Sequence, residues 1–178
     1  MPYFRYFNKG YYDITGNGNK KLVTDLMTRV KVRSKILDEA SLYDRYDVQN
    51  GDRPETISYY HFGSSDFHWV ILLTNNITDA FYGWPLSNAD FERYITDKYT
   101  NPEGIHHYEI TQSSGSQTGN GPSDYLHKIE VNSTVFGAQS VSNREYEQRL
   151  QDEKRTIKLL NPSYLPILIE EFEKIISK

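Results

Sequence analysis

The sequence predicts an α+β fold in which a compact βαα core carries further helices and a β-hairpin. Residues 43–48 show a rough alternation of apolar and polar side chains, which suits a β-strand. Residues 52–76 contain two short runs with apolar side chains at helical spacing. The prediction divides the chain into an N-terminal arm and connector (1–42), the core with a following helix (43–101), a β-hairpin with a mobile tip (102–141) and a C-terminal helical region (142–178).

The N-terminal arm is rich in aromatic side chains but shows no amphipathic periodicity. Residues 8–21 are rich in Gly and Asn and predict a loop, whereas residues 24–27 predict a helical turn and residues 30–33 a strand. A terminal arm of this kind usually needs a surface to dock against. The arm is therefore predicted to bind partners through Tyr3, Phe4, Tyr6 and Phe7.

The core segment opens with the strand at 43–48 and a turn at Asn50-Gly51, a dipeptide that tolerates positive φ. We expect Asp52 to cap the first helix, because Glu55 follows at the spacing of a capping box. Pro54 suits the first turn, where its missing N–H costs nothing.

The first helix is expected to end at Gly63, which can adopt the left-handed conformation that stops helices. Ser64 or Ser65 is expected to cap the second helix. The apolar side of that helix predicts that Trp69 and Leu72 lie in the core of the unit.

An aromatic cluster of Phe81, Tyr82 and Trp84 follows the second helix. Burial in the core and contact with a partner explain this cluster about equally well, since large aromatic side chains dominate the energetics of both cores and interfaces. The segment is short for burying all three rings on itself, so we predict that they anchor a partner. On this prediction Trp84→Ala leaves a folded monomer.

Two further capping boxes predict helices. Ser87 with Asp90 opens a helix that ends before Asn101-Pro102, and Ser142 with Glu145 opens one that runs to about residue 155. The second of these helices is polar on most faces. Such a helix is either solvent-bridging or completed by another chain, and we predict that it needs a partner to become ordered.

Strands are predicted at 105–111 and 125–131, flanking a tip at 112–123 that is rich in Ser, Gly, Thr and Gln. This composition offers nothing to bury, so the tip is predicted to be mobile and dispensable. A short strand at 157–160 precedes a last helix that starts near residues 161–163. That helix has a clean amphipathic face, formed by Leu165, Leu168, Phe172, Ile175 and Ile176.

Catalytic patterns are not found in the sequence. The chain has no Cys, and His106 and His107 are expected to point to opposite faces of a strand, so no metal site and no cofactor are predicted. Carboxylate pairs such as Asp79 and Glu92 arise by chance among 24 acidic residues, which leaves a small hydrolase unsupported. We predict no enzymatic activity.

Charge and hydropathy exclude two classes of partner. The formal net charge of −4 and the absence of a Lys/Arg block give no footprint for nucleic acid. The longest apolar run, at 69–73, is far too short to span a membrane, and the N-terminus lacks an apolar signal region. Synthesis in the cytoplasm of a cell is expected.

Several runs in the core resemble a known family. They are DRPETIS at 52–58, FG at 62–63, WVILLTNNI at 69–77 and DAFYGWP at 79–85, and the run from 145 to 160 fits the same pattern. The chain resembles the LysM-like baseplate wedge protein of contractile-tailed phages of the T-even kind. The order of strand, turn and two helices is similar to a LysM module, which implies a LysM-like βαα(β) core.

The resemblance implies a non-enzymatic virion protein of the tail baseplate, made in the host cytoplasm. Its implied partners are other baseplate wedge proteins and hub or sheath-initiator proteins, with wedges joined or clamped around the hub. The alternative is a carbohydrate-binding module for peptidoglycan or chitin. At 82–85 the chain departs from sugar-binding LysM modules, because a capped helix follows in place of a second strand.

Overall fold

The computed structural model describes residues 3–32, 36, 39–111 and 128–176, and it confirms the predicted α+β class. Within these residues the strands are β1 (Lys9–Tyr12), β2 (Lys21–Thr24), β3 (Tyr43–Asp47), β4 (Ile105–Thr111), β5 (Lys128–Val131), β6 (Gln139–Ser142) and β7 (Thr156–Leu160). The α-helices are α1 (Pro54–Phe62), α2 (His68–Thr74), α3 (Asn88–Lys98), α4 (Asn143–Arg155) and α5 (Leu165–Ile176).

The backbone forms two compact units. Unit 1 combines residues 1–85 with residues 154–178, and unit 2 comprises residues 86–153. Unit 2 is thus an insertion between two parts of unit 1 along the chain. The four segments predicted from the sequence stay a prediction, because the two units follow spatial contacts and not sequence composition.

Unit 1 is built on the antiparallel pair of β3 and β7, with Tyr46 opposite Ile157. The strand, the two helices and their order agree with the predicted βαα arrangement. Its closing strand is contributed by residues 156–160, more than one hundred positions after β3 begins. The specific likeness to LysM stays a prediction.

The first helix of the core starts differently from the sequence prediction. Arg53 occupies the N-cap position of α1, and its side chain makes no capping hydrogen bond. The Asp52 carboxylate instead accepts from the Tyr46 hydroxyl at 2.8 Å and from the Gln49 amide at 3.0 Å. Asp52 therefore fixes the turn after β3, because these nearer donors hold its side chain. Gly63 ends α1 at a φ of 78°, as predicted.

Apolar side chains fill unit 1 in two clusters. One cluster joins the N-terminal aromatics, α2 and α5 around Trp69, which is buried as predicted. The other joins β3, α1 and β7, and half-buried Leu72 packs against it. Its buried members are Val48, Ile57, Ile71, Trp84, Ile157 and Leu159.

The N-terminal segment is more ordered than the sequence indicated. Residues 3–6 form a 3-10 helix, and β1 pairs with β2 where a loop was predicted. The helical turn predicted at 24–27 is also wrong, since β2 extends to Thr24 and irregular backbone follows. Residues 30–32 form no strand, and Arg33 lies outside the described residues.

Unit 2 contains the sheet of order β5-β4-β6 together with α3 and most of α4. Both predicted caps are present, because the Ser87 and Ser142 hydroxyls accept from the backbone amides of Asp90 and Glu145. Strand β6 was not predicted. The predicted mobile tip at 112–123 lies outside the described residues.

Candidate interaction surfaces

A tight turn at residues 79–83 presents two aromatic side chains to solvent. The Asp79 carboxylate accepts hydrogen bonds from the backbone amides of Phe81 at 2.8 Å and Tyr82 at 3.3 Å. The Gly83 amide donates to the Asp79 carbonyl at 2.8 Å, and the Lys154 ammonium donates to the Tyr82 carbonyl at 2.9 Å. The turn is therefore fixed although Phe81 is 85% and Tyr82 77% exposed.

Gly83 makes this turn possible through its lack of a side chain. A Cβ atom there would lie 2.7 Å from the Asp79 carbonyl oxygen and 2.8 Å from Cγ2 of Ile77. The first of these contacts is with backbone, which cannot yield without opening the turn. Any larger residue at position 83 would therefore displace Phe81 and Tyr82.

Trp84 differs from Phe81 and Tyr82 because its side chain is buried. Its ring is 7% exposed within the second apolar cluster, and its indole N–H donates to the Asp52 carbonyl at 2.9 Å. The segment thus buries one ring and exposes two. The expectation that Trp84 is free to anchor a partner conflicts with this burial, since its surface is already occupied.

The four N-terminal aromatics also divide by burial. Tyr6 and Phe7 are buried, and the Tyr6 ring lies 5.8 Å from Trp69 and 5.9 Å from Phe172 between centroids. Tyr3 is half-buried, and Phe4 is exposed. The arm therefore docks on Trp69 and Phe172 of its own chain, and binding of a partner by its four aromatic residues stays a prediction.

Tyr3, Phe4 and Phe7 are among the residues that line an open groove of about 530 Å³ in unit 1. Leu26, Trp69 and Leu72 are among its other lining residues. No sequence pattern predicts this groove, because its lining residues come from chain segments that meet only in the fold.

Unit 2 contains a buried carboxylate that binds two cationic side chains. Glu109 on β4 receives two hydrogen bonds from the Arg149 guanidinium, at 2.7 and 2.9 Å, and one from the Lys128 ammonium at 2.6 Å. The hydrogen bonds from Arg149, followed by that from Lys128, lower the pKa of Glu109 to about 2 despite its burial. This carboxylate is ionised at neutral pH and is therefore unsuited to act as a general acid there.

Glu147 forms a second buried polar centre on α4. Its carboxylate accepts from Lys98 at 2.6 Å, from the Tyr99 hydroxyl at 2.8 Å and from the Tyr94 hydroxyl at 3.2 Å. Burial raises the pKa of Glu147, but these hydrogen bonds outweigh burial and leave the pKa below its usual value. Gln151, also buried on α4, accepts from the Leu86 amide at 3.0 Å.

These contacts give the polar helix α4 hydrogen-bond partners within its own unit. The buried side chains of α4 are Glu147 and Gln151, and both find partners within unit 2. Hydrogen bonds of this kind offset the cost of burying polar side chains. These contacts therefore give α4 partners within its own unit, and the need for another chain stays a prediction.

His106 and His107 lie closer together than strand alternation suggested. Their Nδ1 atoms are 2.8 Å apart, because the pairing of β4 with β6 shifts register between Ile105 and His107. The His106 ring stacks on Tyr146 at 4.0 Å. In the part of the chain that the structure describes, no third His, Cys, Asp or Glu completes a metal-binding group with them.

The helices of the described ranges are all too short or too polar to traverse a bilayer.

Comparison with known proteins gives a match over nearly the whole chain. A family model described as base plate wedge protein 53 matches residues 3–175. The chain is also 30% identical over 59 residues to baseplate wedge protein gp53 of Enterobacteria phage T4. That alignment covers 33% of this chain and 30% of the T4 protein, so it spans less than a third of the relative's length.

Proposed function

Since the chain belongs to the base plate wedge protein 53 family, we propose that it joins or clamps wedge subunits around the hub of a phage tail base plate. Members of this family are components of the virion tail. The proposed partners are other wedge proteins and hub or sheath-initiator proteins. The proposed role is structural and does not include catalysis.

The rigid exposed turn at 79–83 is the observation that supports this proposal. Phe81 and Tyr82 expose most of their rings, while a hydrogen bond to the Asp79 carboxylate and one from the Lys154 ammonium hold their backbone. Binding energy at protein interfaces is concentrated in a few aromatic and Arg side chains. A pre-ordered turn also loses little conformational entropy when it docks, which favours affinity.

The buried charges of unit 2 support the non-catalytic part of the proposal. Glu109 and Glu147 are engaged by cationic and hydroxyl donors that leave neither carboxylate with an open site for substrate. Such closed networks rigidify a fold and specify its packing.

The experiment compares two double variants of exposed aromatics in unit 1. Phe81→Ala with Tyr82→Ala removes the proposed contact, and Tyr59→Ala with Tyr60→Ala is the matched control on α1, where both rings are also exposed. Each variant is supplied to a phage that lacks the native protein, and its incorporation into base plates is measured by sedimentation. Circular dichroism melts verify that both variants fold.

We expect the first variant to be incorporated at least tenfold less than the control, since hot-spot truncations cost about 2 kcal/mol or more. Equal incorporation of both variants would remove the turn from the proposed interface. Specific binding of chitin oligomers by the native chain, lost in the first variant, would favour the carbohydrate-binding alternative.

A further inference from the structure

The β1–β2 ribbon has apolar side chains that nothing in the described chain covers. All four residues of β1 are exposed, and Tyr11 and Leu22, which lie opposite each other, are 73% and 56% exposed. Exposed apolar side chains continue through the turn and beyond β2, at Tyr12, Ile14, Leu26 and Met27. An isolated two-stranded ribbon is marginally stable in water, so this one gains little from its own packing.

The turn of the ribbon is nevertheless ordered. The Asp13 carboxylate accepts from the backbone amides of Thr15, Gly16 and Gly18, at 3.1, 2.7 and 2.6 Å respectively. Gly16 and Gly18 adopt positive φ, which suits glycine. The ribbon is therefore held in shape by its turn, while both of its faces stay accessible.

The charge of this segment is opposite to that of the chain. Residues 9–31 contain five basic and two acidic residues, although the whole chain carries a formal net charge of −4. Both acidic side chains are engaged locally, since Asp25 accepts from the Met27 amide and the Thr28 hydroxyl. The ribbon lysines Lys9, Lys20 and Lys21 form no ion pair with the described residues.

The outer edge of β1 offers unpaired backbone groups. The Asp25 amide donates to the Asn8 carbonyl at 2.8 Å, which makes these two residues a hydrogen-bonded pair. Such pairs alternate along an antiparallel ladder, so Lys9 and Tyr11 point their N–H and C=O groups away from β2. The sheet has no third strand among the described residues.

We propose that the β1–β2 ribbon binds an acidic, extended segment of a neighbouring base plate protein, which adds to the outer edge of β1 as a third strand. Backbone hydrogen bonds supply affinity in such strand addition, and alternate side chains supply specificity. The three lysines select acidic residues on the partner, and Tyr11 and Leu22 cover its apolar side chains. This inference rests on the proposed function, but it concerns a different surface from the turn at 79–83.

Nucleic acid is the competing partner for a surface that combines Lys and Tyr. The structure favours protein, because aliphatic Leu22, Leu26 and Met27 have no role in base stacking or phosphate contact. The free strand edge also matches a polypeptide backbone. Nucleic acid remains an outcome that the experiment can detect.

The experiment uses photo-crosslinking in assembled base plates. A benzophenone-bearing phenylalanine replaces Tyr11 in one preparation, Phe81 in a second, and Arg93 as an exposed control in a third. Crosslinked peptides are identified by mass spectrometry. We expect position 11 to crosslink to an acidic segment of another protein, and Arg93 to give at least tenfold less product.

Two variants at one position test the strand edge itself. Tyr11→Thr removes the ring but keeps the amide, whereas Tyr11→Pro also removes the outward-pointing N–H that strand addition needs. We expect Tyr11→Pro to be incorporated about fivefold less than Tyr11→Thr, the effect of one backbone hydrogen bond. Melting curves of the two free variants should agree, since neither change affects a hydrogen bond within the ribbon.

The outcomes separate this inference from the proposed function. Crosslinks from position 81 without any from position 11 would overturn the strand-addition proposal and leave the turn at 79–83 as the contact. Crosslinks from position 11 to nucleic acid, or to a segment that is not acidic, would also overturn it. Absence of the chain from purified base plates would overturn the proposed function itself.

Discussion

Phe81 and Trp84 are three positions apart, yet their environments are opposite. Phe81 is 85% exposed, whereas Trp84 is 7% exposed and donates a hydrogen bond to the Asp52 carbonyl. The close approach of Gly83 to the Asp79 backbone turns the chain between them. Residue type alone cannot distinguish these roles, because Phe and Trp serve equally in cores and interfaces.

Truncating these two residues should therefore have different effects on stability. Trp84→Ala should lower the free energy of unfolding by about 3–5 kcal/mol, the usual cost of removing a buried Trp ring. Phe81→Ala should change it by less than about 0.5 kcal/mol, since little of its surface is buried. Urea unfolding of the free chain measures both values. A Trp84→Ala variant as stable as the native chain would restore the interface role that the sequence suggested for this ring.

At the scale of elements, helix ends were predictable from local sequence, whereas the pairing of strands and the packing of helices were not. Pro54, Gly63, Ser87 and Ser142 mark helix ends through their own backbone geometry, and the structure has helix ends at or next to each. The ribbon was missed because β1 and β2 have four residues each, too few for alternation to show. The hydrogen bonds of α4 within unit 2 were not predicted, since nothing in the sequence tells which polar side chains become buried with partners.

The buried ion pairs of Glu109 should make unit 2 sensitive to acid. Its folded pKa of about 2 lies below the usual value for Glu, so ionised Glu109 stabilises the fold above about pH 5. This stabilisation should be lost as the pH falls from about 5 towards 2. We expect Glu109→Gln to be less stable than the native chain by roughly 2 kcal/mol at pH 7 and by much less at pH 3.

Urea unfolding at a series of pH values measures this difference. Glu130→Gln is the matched control, because Glu130 lies opposite Glu109 in the ladder of β4 and β5 but is exposed. A Glu109→Gln variant whose deficit is independent of pH would show that Glu109 acts through packing and not through its charge.

At the scale of the whole molecule, the pairing of β3 with β7 could not be predicted, because unit 2 separates these strands along the chain. Strand β7 completes the sheet of unit 1 only after the chain has passed through unit 2. Periodicity predicted a strand at 157–160, but it carries no information on which distant strand becomes its partner. The candidate surfaces show the same limit, since aromatic content was predictable while the division into buried and exposed rings depends on tertiary packing.

Hydrogen exchange should reveal which parts of the chain are stably folded without a partner. In the free chain we expect slow exchange in α4 and β7, because buried ion pairs or apolar packing hold them in place. The outward-pointing amides of Lys9 and Tyr11 should exchange fast, since the described chain gives them no acceptor. Assembly into base plates should slow exchange at these two amides and at residues 80–82, and leave α4 nearly unchanged. Fast exchange throughout α4 in the free chain, slowed only on assembly, would show that its polar network forms with a partner, as the sequence had suggested.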